Sequence, residues 1–489
     1  MLEDALSSAE STAADSTAAE SPLPWGKRES RTAQPILHLV LAWSVDEPDR
    51  LGELFPIEGP VALGRGTPLA DDPAPRGSLH RGRPGTAVVC PPIASARISR
   101  LHLVMQPESD SARIRNLGRA PMRINGQETK EGLVREGDVV ELHNAAVFYV
   151  TRRPKHLPAS SLSTSFAFGM PDPYGLVGES EAAWALRSAY AFAASTDRHV
   201  LVLGESGSGK ELAARSIHGL SERRDRPFIA RNAATMPDTL IDAELFGNAK
   251  NYPNPGMAER AGLVGEADRS TLFLDEIGDL PEKSQVHLLR VLDSNGEYQR
   301  LGEAKTRTSA FKLVAATNRA ADSLKHDFLA RFVHRIDVPG LPERRDDLPL
   351  IAAQILRTIA AKNAVIAERF FERRGNAIAE PRLMPDLVAR LLRHPFTHHV
   401  RELERVLWLA IGTAQGDFIG VTDAVDGELR DSAGSATEAS EVDRDTLEKA
   451  LADNGRSPTK AAKALGLKNR YVLIRLLKKH GLSAKSDDE

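Results

Sequence analysis

A chain of 489 residues suits about three domains, each long enough to bury its own core. The net charge of −3 says little about partners, and the single cysteine, Cys90, excludes an intramolecular disulfide and suits a reducing compartment. The N-terminus has neither the basic cluster nor the apolar core of a signal peptide, and no apolar run reaches the roughly 18 residues a membrane span needs, so a cytoplasmic protein with no membrane partner is expected.

Residues 1–33 are rich in Ser, Ala, Thr and Glu, with too few large apolar groups to offset the entropy of ordering, which predicts a disordered leader. From Ile36 short β-like runs recur between Gly, Pro and Asp turns, among them ILHLVLAW, TAVVC, LHLVM, DVVELH and AVFYVTR. This spacing predicts an all-β sandwich over residues 34–152.

Within it stand LGR at Leu63–Arg65, ISRLH at Ile98–His102, NLG at Asn116–Gly118, NG at Asn125 and Gly126, and EGDVVEL at Glu136–Leu142. By these motifs the sandwich resembles a forkhead-associated (FHA) domain. That family recognises phosphothreonine peptides, so the resemblance implies a phosphothreonine protein as partner. It also implies that Arg65 and Ser99 contact the phosphate through charge-assisted hydrogen bonds, with His102 structural. Where the family has a Ser-x-Asn-Gly-Thr run, this chain reads RAPMR, with Arg119 and Pro121 in place of the Ser and Asn, so one contact to the peptide backbone is lost. Two readings stand: a working phosphopeptide reader, or a sandwich kept for docking.

Residues 153–173 carry Ser and Pro without helical or strand period and read as a linker. A helical pattern begins near Ser180, with Ala183, Leu186, Ala189 and Ala193 on one face. The apolar run Val200–Leu203 then leads into a complete G-x-x-x-x-G-K pattern: Gly204, Glu205, Ser206, Gly207, Ser208, Gly209 and Lys210. Strand, Gly-rich turn and amphipathic helix make a nucleotide-phosphate cradle, in which backbone N–H groups and the helix N-terminus face phosphate oxygens and Lys210 reaches the outer phosphates. Glu211 stands where Ser or Thr usually holds Mg²⁺. Downstream, STLFLDEIGDL ends a buried strand in Asp275 and Glu276, the first suited to position Mg²⁺ and the second to polarise an attacking water. A third strand, FKLVAATNR, ends in Thr317 and Asn318, whose polar groups suit a γ-phosphate or the lytic water. ATP hydrolysis with Mg²⁺ is the expected chemistry.

GESGSGKE, AELFG, STLFLDEIGDLP, LLRVLD, AATNR, LPERRDDLPLI and VRELERVL together resemble the AAA+ module of sigma-54-dependent bacterial enhancer-binding proteins. The resemblance implies an α/β core over 174–350 and a helical lid over 351–413. Glu211 is what the family has after its Lys. Asn232 matches the Asn that restrains the catalytic Glu, Arg401 the lid arginine that senses nucleotide, and Arg335 an arginine finger offered to a neighbouring subunit. The family's second finger position is Leu329 here. A trans finger implies a homo-oligomeric ring, a hexamer by resemblance. Where the family's sigma-factor loop reads Gly-Ala-Phe-Thr-Gly-Ala, this chain has Asn251, Tyr252, Pro253, Asn254, Pro255 and Gly256, a tip stiffened by two prolines with one aromatic ring.

A Ser, Ala and Gly stretch over 414–440 reads as a second linker. Over 441–489 apolar residues recur at helical spacing, and no acidic residue interrupts the basic run from Arg456 to His480. The segment resembles the Fis-type helix-turn-helix that ends the same activator family. The resemblance implies DNA as partner, with Arg470 near base edges, Lys460, Lys463, Lys478 and Lys479 neutralising phosphates, and Lys468 and Arg475 also among the DNA-binding residues. The chain as a whole is therefore expected to be multidomain: an all-β sandwich, an α/β AAA+ module with a helical lid, and an all-α DNA-binding end. Three functions fit it: an ATP-hydrolysing regulator acting on sigma-54 RNA polymerase, a DNA-bound AAA+ protein whose altered loop engages another partner, or a repressor or phosphopeptide-binding module.

Overall fold

The computed structural model describes residues 35–67, 70, 72–159, 166–293, 296–374, 377–430, 444–455 and 457–465, with Leu473, Leu476 and Leu477. The predicted leader and residues 431–440 of the second linker lie outside them. Among the described residues no helix is long and apolar enough to cross a membrane.

The first unit is built from β1 (Ile36–Ser44), β2 (Leu54–Ile57), β3 (Val61–Leu63), β4 (His80–Arg83), β5 (Thr86–Val89), β6 (Leu103–Pro107), β7 (Ala112–Asn116), β8 (Met122–Ile124), β9 (Gln127–Thr129), β10 (Glu131–Val134), β11 (Val139–Leu142) and β12 (Ala146–Arg153). They form an eight-stranded sheet in the order β5-β4-β2-β1-β12-β11-β8-β9 and a four-stranded sheet in the order β10-β7-β6-β3. Leu37, Leu39 and Leu41 of β1 face the interior with Phe55, Ile114, Val140 and Phe148. Their neighbours Val40, Ala42 and Trp43 point the other way and are also buried. That is why β1, apart from His38, reads as an apolar run from Ile36 to Trp43 and not as an alternation: both of its faces are covered.

The second unit opens with α1 (Glu181–Ala194), followed by β13 (His199–Leu203), α2 (Lys210–Leu220), β14 (Phe228–Asn232), α3 (Ile241–Phe246), α4 (Gly262–Glu266), β15 (Thr271–Asp275) and α5 (Glu282–Asp293). Two-residue strands β16 (Glu297–Tyr298) and β17 (Arg307–Thr308) precede β18 (Lys312–Thr317), α6 (His326–Leu329) and β19 (Phe332–Asp337). Strands β14-β15-β18-β13-β19 make one parallel sheet, with Val200 beside Val314 and Leu272 beside Leu313. Alternate residues feed two cores: Leu201, Leu272, Leu274 and Leu313 on one face, Val200, Val202, Phe273 and Val314 on the other. The α/β reading of the central motifs holds in this layer.

Helices α7 (Leu348–Lys362), α8 (Ala364–Phe370), α9 (Pro385–Arg393) and α10 (His399–Thr413) make the lid, with a short antiparallel pair, β20 (Phe371–Arg374) and β21 (Ala377–Pro381), between α8 and α9. The sequence predicts helices alone here. Beyond the lid, helices Arg444–Asp453 and Pro458–Ala464 pack Leu447, Leu451 and Ala461 against Leu473, Leu476 and Leu477.

Sandwich and lid share one apolar core. Val40, Trp43, Val139, Val147 and Tyr149 of the sandwich lie in the same cluster as Leu356, Leu387, Leu391 and Leu403 of the lid. Arg393 of α9 donates to the Asn125 carbonyl at 2.9 Å. Within the predicted linker, Phe166 stacks under the Arg83 guanidinium, 4.5 Å from its ring centroid, and its carbonyl accepts from Arg83 at 2.8 Å. Trp43→Ala should cost about 3–5 kcal/mol by removing a large buried ring. Because the loss falls in the shared core, denaturant unfolding monitored on the lid should shift together with unfolding monitored on the sandwich.

Candidate functional site

The cradle sits between β13 and α2. Gly207 and Gly209 take φ of +86° and +106°, a region only glycine enters freely, and a side chain on Gly207 would meet the His398 carbonyl at 2.6 Å. The Gly204 N–H donates to the Thr317 carbonyl at 3.3 Å, which moors the loop to β18. Lys210 is buried, with Nζ donating to the Gly204 and Glu205 carbonyls at 3.1 and 3.3 Å and lying 3.8 Å from Glu276 Oε1.

At the end of β15, Asp275 Oδ1 accepts the Glu276 N–H at 3.0 Å, and Glu276 itself has φ of +50°. Glu276 Oε2 accepts the Asn318 N–H at 3.2 Å. Asn232 lies beside Asp275 in the sheet, but its Oδ1 caps the Ala234 N–H at 2.9 Å, whereas the Asn318 N–H bonds the Glu276 carboxylate. Glu211 borders the cavity while its carboxylate pairs with Arg215 at 2.8 Å.

The lid closes the other side. Arg401 donates to Ser206 Oγ at 2.9 Å, the Val400 N–H to the Gly207 carbonyl at 3.3 Å, and Arg344 to the Ser208 carbonyl at 3.3 Å. Next to Arg401, the His399 ring bridges Glu205 Oε2, 3.1 Å from Nε2, and the Leu341 N–H, 3.3 Å from Nδ1. Glu402 is held down to about 2: burial opposes ionisation, but the His394 ring and the His398 N–H bind its carboxylate. The cavity, about 370 Å³, is lined by the charged Lys210, Asp275, Glu276 and Arg401 and by the apolar or aromatic Leu176, Val177, Tyr190, Ile351 and Ile355. A lining that holds both charged and apolar groups suits a nucleotide, with its phosphates and its base. Asp275 keeps its second carboxylate oxygen for a hard cation, and Ser208 Oγ is buried without a partner, so the residues present fit Mg²⁺.

Other expected positions lie apart from this cavity. Arg335 is exposed on β19, an edge strand, reaching back to the Leu329 carbonyl at 3.4 Å, while Arg331 pairs with Asp293. On the sandwich, the Arg65 N–H donates to the Ser99 carbonyl at 3.0 Å and the Arg119 N–H to Ser99 Oγ at 3.1 Å, which brings these three residues to one rim. Arg65 Nε is buried without a partner, and the Ser99 N–H donates to His102 Nδ1 at 3.0 Å. The loop Asn251–Gly256 is self-bonded: Asn251 Oδ1 accepts the Gly256 N–H at 2.9 Å, Asn248 Nδ2 donates to the Tyr252 carbonyl at 3.3 Å, and the Tyr252 ring occupies the space a side chain at Gly302 would need. Pro253, Asn254 and Pro255 are exposed. Lys460 is exposed on the helix Pro458–Ala464, whereas the Lys463 side chain, Lys468, Arg470 and Arg475 lie outside the described residues. Sequence reasoning missed His399 and Arg344; the doubled His398 and His399 before Val400 was the available signal for the first.

A phosphate loop at a parallel strand end, an acidic pair on the neighbouring strand and a helical lid over both define a P-loop ATPase of the AAA+ kind. The sigma-54 interaction domain family matches residues 176–341. The transcriptional regulatory protein ZraR of Salmonella typhimurium is 32% identical over 315 residues, covering 62% of this chain and 68% of the relative. The Nif-specific regulatory protein of Azotobacter vinelandii is 36% identical over 295 residues, 57% of this chain and 53% of that one. NtrX from Brucella abortus, solved in complex with ATP, aligns with 27% identity and a TM-score of 0.45 over 63% of this chain and 69% of its own. The chain belongs to the sigma-54-dependent AAA+ transcriptional activators, and its AAA+ module is an ATPase.

His199, at the start of β13, is held neutral: burial, then the Lys312 charge, lowers it from 6.5 to about 4, and Nδ1 accepts the Leu313 N–H at 3.0 Å. The unfolded chain takes up that proton near pH 6.5 and the folded chain only near 4, so this site's contribution to stability is full above about pH 6.5 and is lost as pH falls towards 4. His199→Gln, which keeps an acceptor for Leu313, should flatten the decline of Tm across that window.

Proposed function

We propose that this chain is a sigma-54-type transcriptional regulator in which ATP turnover in a homo-oligomeric ring works on a DNA-bound complex. Its domains would span residues 34–152, 174–350, 351–413 and 441–489, joined by linkers at 153–173 and 414–440. The observation that carries the reading is the Glu276 carboxylate, held by the Asn318 N–H beside Lys210 and facing the lid. In this mechanism the loop N–H groups and Lys210 bind the outer phosphates, with Lys210 exchanging its carbonyl partners for phosphate oxygens. Asp275 would hold Mg²⁺, which neutralises charge on the phosphates when bound. Glu276 orients and polarises the attacking water, the Asn318 N–H sets its carboxylate, Asn232 would restrain it on leaving the Ala234 N–H, Arg401 reports the nucleotide to the lid, and Arg335 reaches the next subunit's phosphoryl group, most simply in a hexamer.

The sandwich, read as an FHA domain, binds a phosphothreonine protein through Arg65 and Ser99. Helices beyond residue 440, read as a Fis-type helix-turn-helix, hold an upstream DNA site through Lys460, Lys463, Lys468, Arg470 and Arg475. The self-bonded Asn251–Gly256 tip favours a second reading, in which the DNA-anchored ring acts on a partner other than sigma-54.

Glu276→Gln should lower kcat for ATP by on the order of 10²–10⁴ while nucleotide still binds. Run beside the wild type in open-complex formation at a supercoiled sigma-54 promoter, it decides between the readings: melting that needs wild-type turnover supports the first, and consumption of ATP without melting supports the second. Arg65→Ala should abolish binding of phosphothreonine peptides from an oriented library, measured by fluorescence anisotropy. Retained binding would leave the sandwich as a docking unit.

A further inference from the structure

A phosphate loop that carries a glutamate has an electrostatic problem, because a carboxylate turned into a nest of N–H groups competes with the anion the nest exists to bind. Glu205 follows the first glycine of the loop, and its own carbonyl already accepts from Lys210 at 3.3 Å. Its carboxylate is turned to the lid, where His399 Nε2 stands 3.1 Å from Oε2. Because Nδ1 of the same ring faces the Leu341 N–H at 3.3 Å and must accept there, the ring hydrogen belongs on Nε2 and is donated to Glu205. The ring has one place to sit: Gly340 leaves the space open, and a side chain there would meet His399 Cε1 at 2.3 Å. His399 also takes φ of +52°, a cost for a non-glycine residue that the surrounding contacts hold in place.

We propose that His399 is a positioning residue of the nucleotide site, which holds the Glu205 carboxylate out of the phosphate cradle and ties it to the lid. The same ring touches three segments: the loop through Glu205, the sheet-to-lid connection through Leu341, and α10, whose next residues Val400 and Arg401 bond Gly207 and Ser206. A lid that swings away takes the ring with it and frees the carboxylate to turn towards Lys210, so opening the lid weakens phosphate binding by charge as well as by lost contacts. The inference rests on ATP occupying this cavity, which wild-type turnover and its loss in Lys210→Ala test separately.

The experiment is steady-state ATP hydrolysis by the full chain, with KM and kcat resolved, for wild type, His399→Ala, His399→Gln, Glu205→Gln and the double variant His399→Ala/Glu205→Gln. His399→Ala is expected to raise KM for ATP about tenfold with a smaller change in kcat, and His399→Gln, which can both donate and accept, to restore most of it. The double variant should return to within about threefold of the KM of Glu205→Gln alone, because the charge that needed holding is gone. An unchanged KM in His399→Ala would overturn the proposal. So would a loss of kcat and KM that the double variant shares in full, since that would make the ring a filler against Gly340 and nothing more.

Discussion

The assembly of sandwich, sheet and lid turns on one buried carboxylate. Asp347, just before α7, accepts the Glu179 N–H at 2.8 Å, the Ser180 N–H at 2.9 Å and the Ser180 hydroxyl at 2.5 Å. Gly178 is glycine of necessity, since a side chain there would strike the Asp347 carboxylate at 2.4 Å. Burial, the largest effect, pushes Asp347 up towards the neutral form, and the Ser180 hydroxyl bond and the Arg344 charge pull against it only in part. Ser180 at the same time caps α1 through the Ala183 N–H at 3.0 Å. Glu179 turns its side chain the other way, to Arg83 of the sandwich at 2.6 Å and to Trp184 Nε1 at 3.1 Å. Arg344, three residues before Asp347, reaches the phosphate loop. From one junction, polar contacts lead outward to the sandwich, the first helix, the lid and the nucleotide cavity.

What the sequence revealed and what it hid follow from the range of the interactions concerned. The cradle was legible because strand, glycine turn and helix are local, and Gly207 and Gly209 have a conformational reason. Asp275 and Glu276 were legible because their position at a strand end is itself a local pattern. The docking of the sandwich on the lid was not, because it joins residues such as Trp43 and Leu387 that no short window contains. One trace was present in the near-continuous apolar run of β1, which a sandwich strand with one face in water would not show. The β20–β21 pair inside the lid, and the packing of Phe166 and Phe168 around Arg83, were hidden for the same reason: each is decided by neighbours supplied from elsewhere in the chain.

The site shows the same division. Lys210, Glu276 and Arg401 meet around one cavity as their motifs imply. The partner of Glu276, however, is a backbone N–H of Asn318, and a backbone donor carries no side-chain signature in sequence. His399 was overlooked because its meaning lies in the space left by Gly340 and in a glutamate nearly two hundred positions earlier. The two prolines and the tyrosine of Asn251–Gly256 stand in the sequence, but the loop's internal hydrogen bonds and the seat of Tyr252 on Gly302 belong to three dimensions.

The shared apolar core also sets the order in which this protein becomes safe to make. The outward face of β1, with Val40, Ala42 and Trp43, leaves the ribosome early, and the helix that covers it, carrying Leu387 and Leu391, is synthesised only after the whole parallel sheet. Until then the nascent sandwich presents a greasy face to the cell, on a domain whose other sheet is already closed. Such a surface invites association with other unfinished chains, a hazard that an isolated sandwich with a polar outer face would not carry.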